Sequence, residues 1–89
     1  MPLNQRVSFK RPLEKTGKVQ VPKIIRWQFK MEPQQVLKVG LAGTGGWEYF
    51  YAKMEKDGRI RIPKTELFDA FGKVDNLAGC LVEVTVEPA

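Results

Sequence analysis

The sequence predicts a mainly β fold, a six-stranded barrel closed by two strand–strand–helix–strand units. Three observations carry this. An octapeptide pattern occurs twice, as TGKVQVPK from Thr16 and DGRIRIPK from Asp57. Each copy alternates cleanly, Val19 and Val21 in the first and Ile60 and Ile62 in the second, the period of a half-buried strand. The stretch between the units, AGTGG, is too short to separate two domains and reads as a hairpin turn.

The elements follow in order. Val7, Phe9 and Leu13 form a loose apolar alternation broken by Pro12, whose missing N–H suits an edge or bent strand. Thr16-Gly17 is a turn signal, and KVQV is the second strand. Pro22 ends that strand and opens a helix, where its missing donor costs nothing. Ile25, Phe29 and Met31 share one helical face, and Pro33 stops the helix. VLKVGL is the third strand. The second unit repeats the order. EYFYAKMEK is an aromatic-rich strand, Asp57-Gly58 a hairpin turn, and RIRI a strand. KTELFDAFGK is a short helix with Thr65 as its expected N-cap and Gly72 as its left-handed end. CLVEVTV is the last strand, with Cys80 expected as a buried thiol.

The offset between copies is 41 residues from Gly17 to Pro22. It reads as 42 through the helix, pairing Ile25 with Leu67, and as 45 at the last strand, pairing Val39 with Val84. The organisation is therefore one barrel domain, 1–89, with repeat one at 6–42 and repeat two at 47–87. A single three-stranded unit leaves an apolar sheet face uncovered, whereas two units can cover each other and remove their edges.

Charge is uneven. The net charge of +5 divides into +7 for residues 1–42, with nine Lys/Arg and two Glu, and −2 for residues 43–89. A protein basic on one half can present a face to a polyanion. No run of about 18 apolar residues is present, so no membrane-spanning helix is expected. MPLNQRVSFK lacks the apolar core of a secretory signal, and a cytoplasmic location is expected.

Catalytic chemistry has little support. Histidine is absent and there is one cysteine, so the commonest general base and a zinc-type ligand set are missing. GLAGTGG is glycine-rich but precedes a strand, whereas phosphate loops precede a helix. Glu14 and Glu55 occupy equivalent positions beside the turns, and pairing with Lys15 and Lys56 is their expected role. No enzyme activity, metal site or cofactor is expected.

GKVQVPKIIRWQFKMEPQQVLKV and GRIRIPKTELFDAFGKV resemble the SpoVT/AbrB domain, whose pattern is Gly-Arg-x-x-Ile-Pro, a short helix with Leu-Arg-Arg, then a turn and a hydrophobic strand. In the first copy Gly17, Val21, Pro22, Ile25, Arg26 and Val39 fall in place; the second matches with one residue inserted after Pro63. The resemblance implies a cradle-loop barrel, either the RIFT type, found in a small archaeal barrel protein the chain also resembles, or a pseudo-dimeric swapped-hairpin arrangement within one chain. It implies a monomer, because both copies are present. It also implies DNA or RNA binding through Arg11, Lys18 and Arg26 of the first copy and Arg59 of the second. Trp27 stands where the second helix cation would be. In the second copy Ala52, Phe68 and Asp69 replace cations, so the two copies are expected to be unequal.

Aromatics form a further candidate surface. Trp47, Tyr49, Phe50 and Tyr51 are more aromatic than one core face needs, and Trp27 is a further candidate for the patch, although core or loop packing is the expected role for either tryptophan. On alternation Phe50 points opposite to Tyr49 and Tyr51, so one set is core and the other an exposed patch. The leading expectation is a small nucleic-acid-binding barrel; the alternative is a barrel that binds a protein partner or a small ligand.

Overall fold

Turn glycines, alternating strands and two proline-headed helices place eight elements along the chain in the computed structural model, which describes residues 3–89 and so leaves out Met1 and Pro2 of the N-terminal stretch read above. They are β1 (Val7–Pro12), β2 (Lys18–Gln20), α1 (Lys23–Gln28), β3 (Val36–Gly43), β4 (Gly46–Lys53), β5 (Arg59–Arg61), α2 (Lys64–Phe71) and β6 (Leu81–Pro88). Each unit is strand–strand–helix–strand. The AGTGG segment is a hairpin turn: Gly43 pairs with Gly46 across it.

The strand ladders form two antiparallel sheets. One has four strands in the order β1-β6-β3-β4; the other is the ribbon β2-β5. All six expected strands are present, and their ladders do not join into one closed ring. β1 is an edge strand, where Pro12 loses no ladder donor.

The register shows how the units are related. Val19 pairs with Ile60, its own counterpart 41 residues on. Gly40 pairs with Thr85, its counterpart at the 45-residue offset. Equivalent residues face each other in antiparallel ladders only where a twofold axis passes between them. The axis therefore enters through the ribbon and leaves through the centre of the large sheet. The outer strands obey it too, each pairing with the last strand of the other unit: Val7↔Val86 matches Glu48↔Leu41. Backbone bonds cross reciprocally at the turns, Val21 N–H to Gly58 O and Ile62 N–H to Gly17 O, both 2.9 Å.

The core lies between the two sheets. Phe9 and Phe50 are buried counterparts, as are Leu13 and Met54, and Val39, Leu41, Val84 and Val86 close over Val19, Val21, Ile60 and Ile62. Leu3 is buried at the rim, its backbone held by both ends of the Gln35 amide at 2.8 and 2.6 Å.

Both helices start on a proline carbonyl, which accepts from Ile25 and Arg26 in α1 and from Glu66 and Leu67 in α2. These bonds keep the 41-residue offset into the helices. Of the four extra residues, two lengthen α2, eight residues against six, and two lengthen the loop before β6; none is inserted after Pro63. It follows that Arg26 is the counterpart of Leu67, and Trp27 of Phe68. Thr65 is not the cap: Pro63 is, with no side-chain bond. Gly72 ends α2 at φ 74, as expected, and Lys30 takes the same left-handed turn after α1 at φ 51.

Two further expectations are corrected. Cys80 is exposed, because β6 starts one residue later and Gly79 turns the chain outward at φ 85. Glu14 and Glu55 do not pair with Lys15 and Lys56, since adjacent residues of a turn point apart. Each reaches across to the other unit instead: Glu14 to Arg59 and Glu55 to Lys18, both at 2.9 Å. No helix among the described residues is long and apolar enough to cross a membrane.

Candidate nucleic-acid interface

The β2-β5 ribbon turns Val19 and Ile60 inward, so Lys18, Gln20, Arg59 and Arg61 face out. Two of the four expected contact cations sit here, and both are held by carboxylates. Lys18 pairs with Glu55. Arg59 Nε donates to both Glu14 oxygens, at 2.9 and 3.0 Å, and its Nη1 to Asp57 at 2.7 Å. Those bonds hold the Asp57 carboxyl below the ordinary range, chiefly through the side-chain hydrogen bond from Arg59, and push Arg59 up. Arg61 donates to Thr16 O at 3.2 Å and meets no acid within pairing distance among the described residues.

Arg26 lies apart from the ribbon's outer face. Its guanidinium packs on the Gly58 turn, so close that a Cβ there would stand 2.5 Å from Cζ. Nε is buried and finds no hydrogen-bond partner among the described residues. The counterpart turn at Gly17 has Leu67 beside it and a cleft of about 220 Å³ that also runs along Val74 and Leu77. Arg11 is exposed on edge strand β1. The four candidate cations thus fall in three places: Arg11 on the edge, Lys18 and Arg59 paired on the ribbon, and Arg26 over Gly58.

The aromatic residues divide differently. Trp27 is 67% exposed, with Lys23 Nζ 4.6 Å from its ring, so it packs in no core; α1 is too short to bury more than the Ile25 side of its surface. Phe50 is core. Trp47, Tyr49 and Tyr51 line the outer face of β4. Trp47 and Tyr49 are 6.5 Å apart at 21° between planes, and Lys38 Nζ lies 4.9 Å from the Tyr49 ring. The Tyr49 ring and the Thr85 hydroxyl both lie over Gly40, so a Cβ at Gly40 would collide with both. Thr85 is buried although its position points outward.

Sequence reasoning missed Lys38 and Lys53 as neighbours of this row, though β3–β4 pairing puts Lys38 opposite Tyr51. It also missed a carboxylate group. Glu48 of β4 meets Glu66 and Asp69 of α2, with ligand atoms within 4.8 Å of one another. Burial first, then Asp69 and Glu48, raise the Glu66 pKa. Glu66 and Asp69 share α2 but Glu48 comes from β4, so sequence spacing alone does not show the cluster.

Against known proteins, no protein-family model matches the chain, and no curated protein matches it. The chain is similar in structure to PHS018 from Pyrococcus horikoshii, a solution structure, with a TM-score of 0.73 and 21% identity over 99% of this chain and 94% of that one. At that identity the likeness is one of fold: a small β-rich architecture shared along the whole chain.

Proposed function

We propose that this chain is a small, monomeric, cytoplasmic, non-enzymatic protein that binds nucleic acid, its six strands forming a cradle-loop barrel of the RIFT kind from two fused AbrB-like units. The carrying observation is the distribution of free charge. Of the nine first-unit cations, only Lys18 and Lys38 make ion pairs among the described residues, both with second-unit acids. Of the other seven, Arg26 packs on the Gly58 turn and six are exposed: Arg6, Lys10, Arg11, Lys15, Lys23 and Lys30. The second unit leaves five cations unpaired among the described residues but also five acids, so the excess of free positive charge, which supplies phosphate contacts and releases counterions on binding, lies on the first unit. The twofold register supports the barrel reading, since it places the two units as equivalent halves around one core.

The test is a titration of wild type and the triple variant Arg6→Gln, Lys10→Gln, Arg11→Gln at three salt concentrations. These side chains are exposed, so the fold is spared. Three lost phosphate contacts lower the log–log salt slope on duplex DNA by about 2–3, at about 0.9 per contact. An unchanged slope removes this surface from the interface; no binding by wild type at low salt removes the function. The exposed aromatic row favours the second reading, a protein-interaction module, which takes over in that case.

A further inference from the structure

We propose that the outer face of β3 and β4 is a platform for an unpaired nucleic-acid strand, with bases stacked on Trp47 and Tyr51 and phosphates held by Lys38 and Lys53. This rests on the nucleic-acid reading above and names the form of nucleic acid and its seat.

The fold itself does not require these aromatics. At the 41-residue offset the inward positions of β1 and β4 hold equivalent residues, Phe9 and Phe50, then Leu13 and Met54. The outward positions diverge completely: Arg6, Ser8 and Lys10 against Trp47, Tyr49 and Tyr51. Both strands are sheet edges paired to equivalent strands, β6 and β3; α2 also packs against β4, but it meets the strand at Glu48, on the side away from this row. Three rings on one outer face, with Tyr51 66% exposed, are an addition that the core does not use.

The row's geometry suits single strands. Residues two apart on a strand project from one face about 6.6–6.8 Å apart. Such a row presents ring faces and edges one after another to bases that are free to splay, whereas a duplex keeps its base faces stacked inside. Tyr49 is pinned across Gly40 and shares its ring with the Lys38 ammonium, which leaves Trp47 and Tyr51 on either side as the open rings. Lys38 lies opposite Tyr51, and Lys53 is the next outward residue along β4. The only acid within pairing distance of Lys38 among the described residues is Glu87, at 3.9 Å, a long contact that a phosphate oxygen can replace. Glu83 and Glu87 both lie on β6, so the anionic strand runs along β3–β4 and away from β6.

The experiment measures fluorescence anisotropy of labelled oligothymidylate and of a short mixed-sequence duplex. It uses wild type, Trp47→Leu, Tyr51→Leu, Tyr51→Phe and Glu87→Gln. Leucine keeps apolar area and removes the π face; melting curves check the fold of each variant. Trp47→Leu and Tyr51→Leu should each weaken oligothymidylate binding about tenfold. Duplex affinity should change less than about twofold, because phosphate contacts alone serve it. Tyr51→Phe should bind as wild type, and Glu87→Gln should bind more tightly. Leucine variants that hold oligothymidylate as wild type does overturn the platform while leaving nucleic-acid binding intact. Equal losses on single strand and duplex also overturn it. So does a concentration-dependent mass abolished by Tyr51→Leu, which makes the face a seat for a second copy. Wild type that binds neither probe fails the underlying reading, a distinct result.

Discussion

Gly17 and Gly58 are twofold-related turn residues with nearly the same backbone, φ 80 and 87, yet they should respond differently to alanine. At either site the left-handed backbone costs a Cβ-bearing residue about 1–2 kcal/mol. At Gly17 that is the whole cost: the nearest atom to the new Cβ is Ile62 O at 3.8 Å. For a domain of this size 1 kcal/mol is worth about 4–8 °C, so Gly17→Ala should lower Tm by about 5–15 °C. At Gly58 the Cβ would meet Cζ, Nε and Nη1 of Arg26 at 2.5–2.7 Å. The guanidinium, the far end of a flexible side chain, must swing off the turn, which adds the loss of its packing there, up to about 1 kcal/mol. Gly58→Ala should therefore melt several degrees below Gly17→Ala. Removing Arg26 removes the clash, so Gly58→Ala with Arg26→Ala should fall short of additivity by up to about 1 kcal/mol in urea denaturation. Equal melting points for the two alanine variants, or strict additivity, would refute the placement of Arg26 over the second turn.

Three further outcomes are expected. The Glu66 pKa is raised in the fold, so its ionisation destabilises the native state: the fold is favoured while Glu66 is protonated, and that advantage is lost as pH rises from the unfolded to the folded pKa. Glu66→Gln should then raise Tm at pH 7 and leave it nearly unchanged at low pH, a scan that a lone surface carboxylate would not produce. Lys30 holds a left-handed backbone where the second unit uses Gly72, so Lys30→Gly should raise Tm by a few degrees, as the relieved strain of about 1–2 kcal/mol exceeds glycine's entropy cost of about 0.5–1. Cys80 is exposed and should react with a thiol reagent in the native protein as fast as in the urea-unfolded one; strong native protection would contradict its position.

What the sequence made legible is what period and turn chemistry encode. Val19, Val21, Ile60 and Ile62 declared both short strands, and Gly17 and Gly58 declared both turns. The duplication, seen in the octapeptides, foretold eight elements in their order. It also contained more than alternation alone reveals: Glu14 and Glu55 are equivalent, and under a twofold axis equivalent carboxylates reach equivalent partners across it, Arg59 and Lys18. Reading each with its chain neighbour missed that, because ion pairing follows space. Arg26 was assigned a solvent-facing role from its place in a motif, while one residue of helix offset decides whether it matches Leu67 or Phe68, and hence whether it packs or projects. Trp27 illustrates the converse. A tryptophan suggests core, but a six-residue helix lying against so small a body has room to bury only one narrow side.

The most direct test of nucleic-acid binding at these surfaces is a two-dimensional amide NMR titration of the uniformly labelled protein with oligothymidylate at low salt. Shifts should concentrate at the Trp47 indole N–H and the amides of Lys38, Tyr49, Tyr51 and Lys53, and collapse as salt is raised. The ribbon residues Lys18 and Arg59, held by Glu55 and Glu14, should move little. A spectrum unchanged by excess oligonucleotide, or shifts confined to the ribbon and the Gly58 turn, would contradict the account.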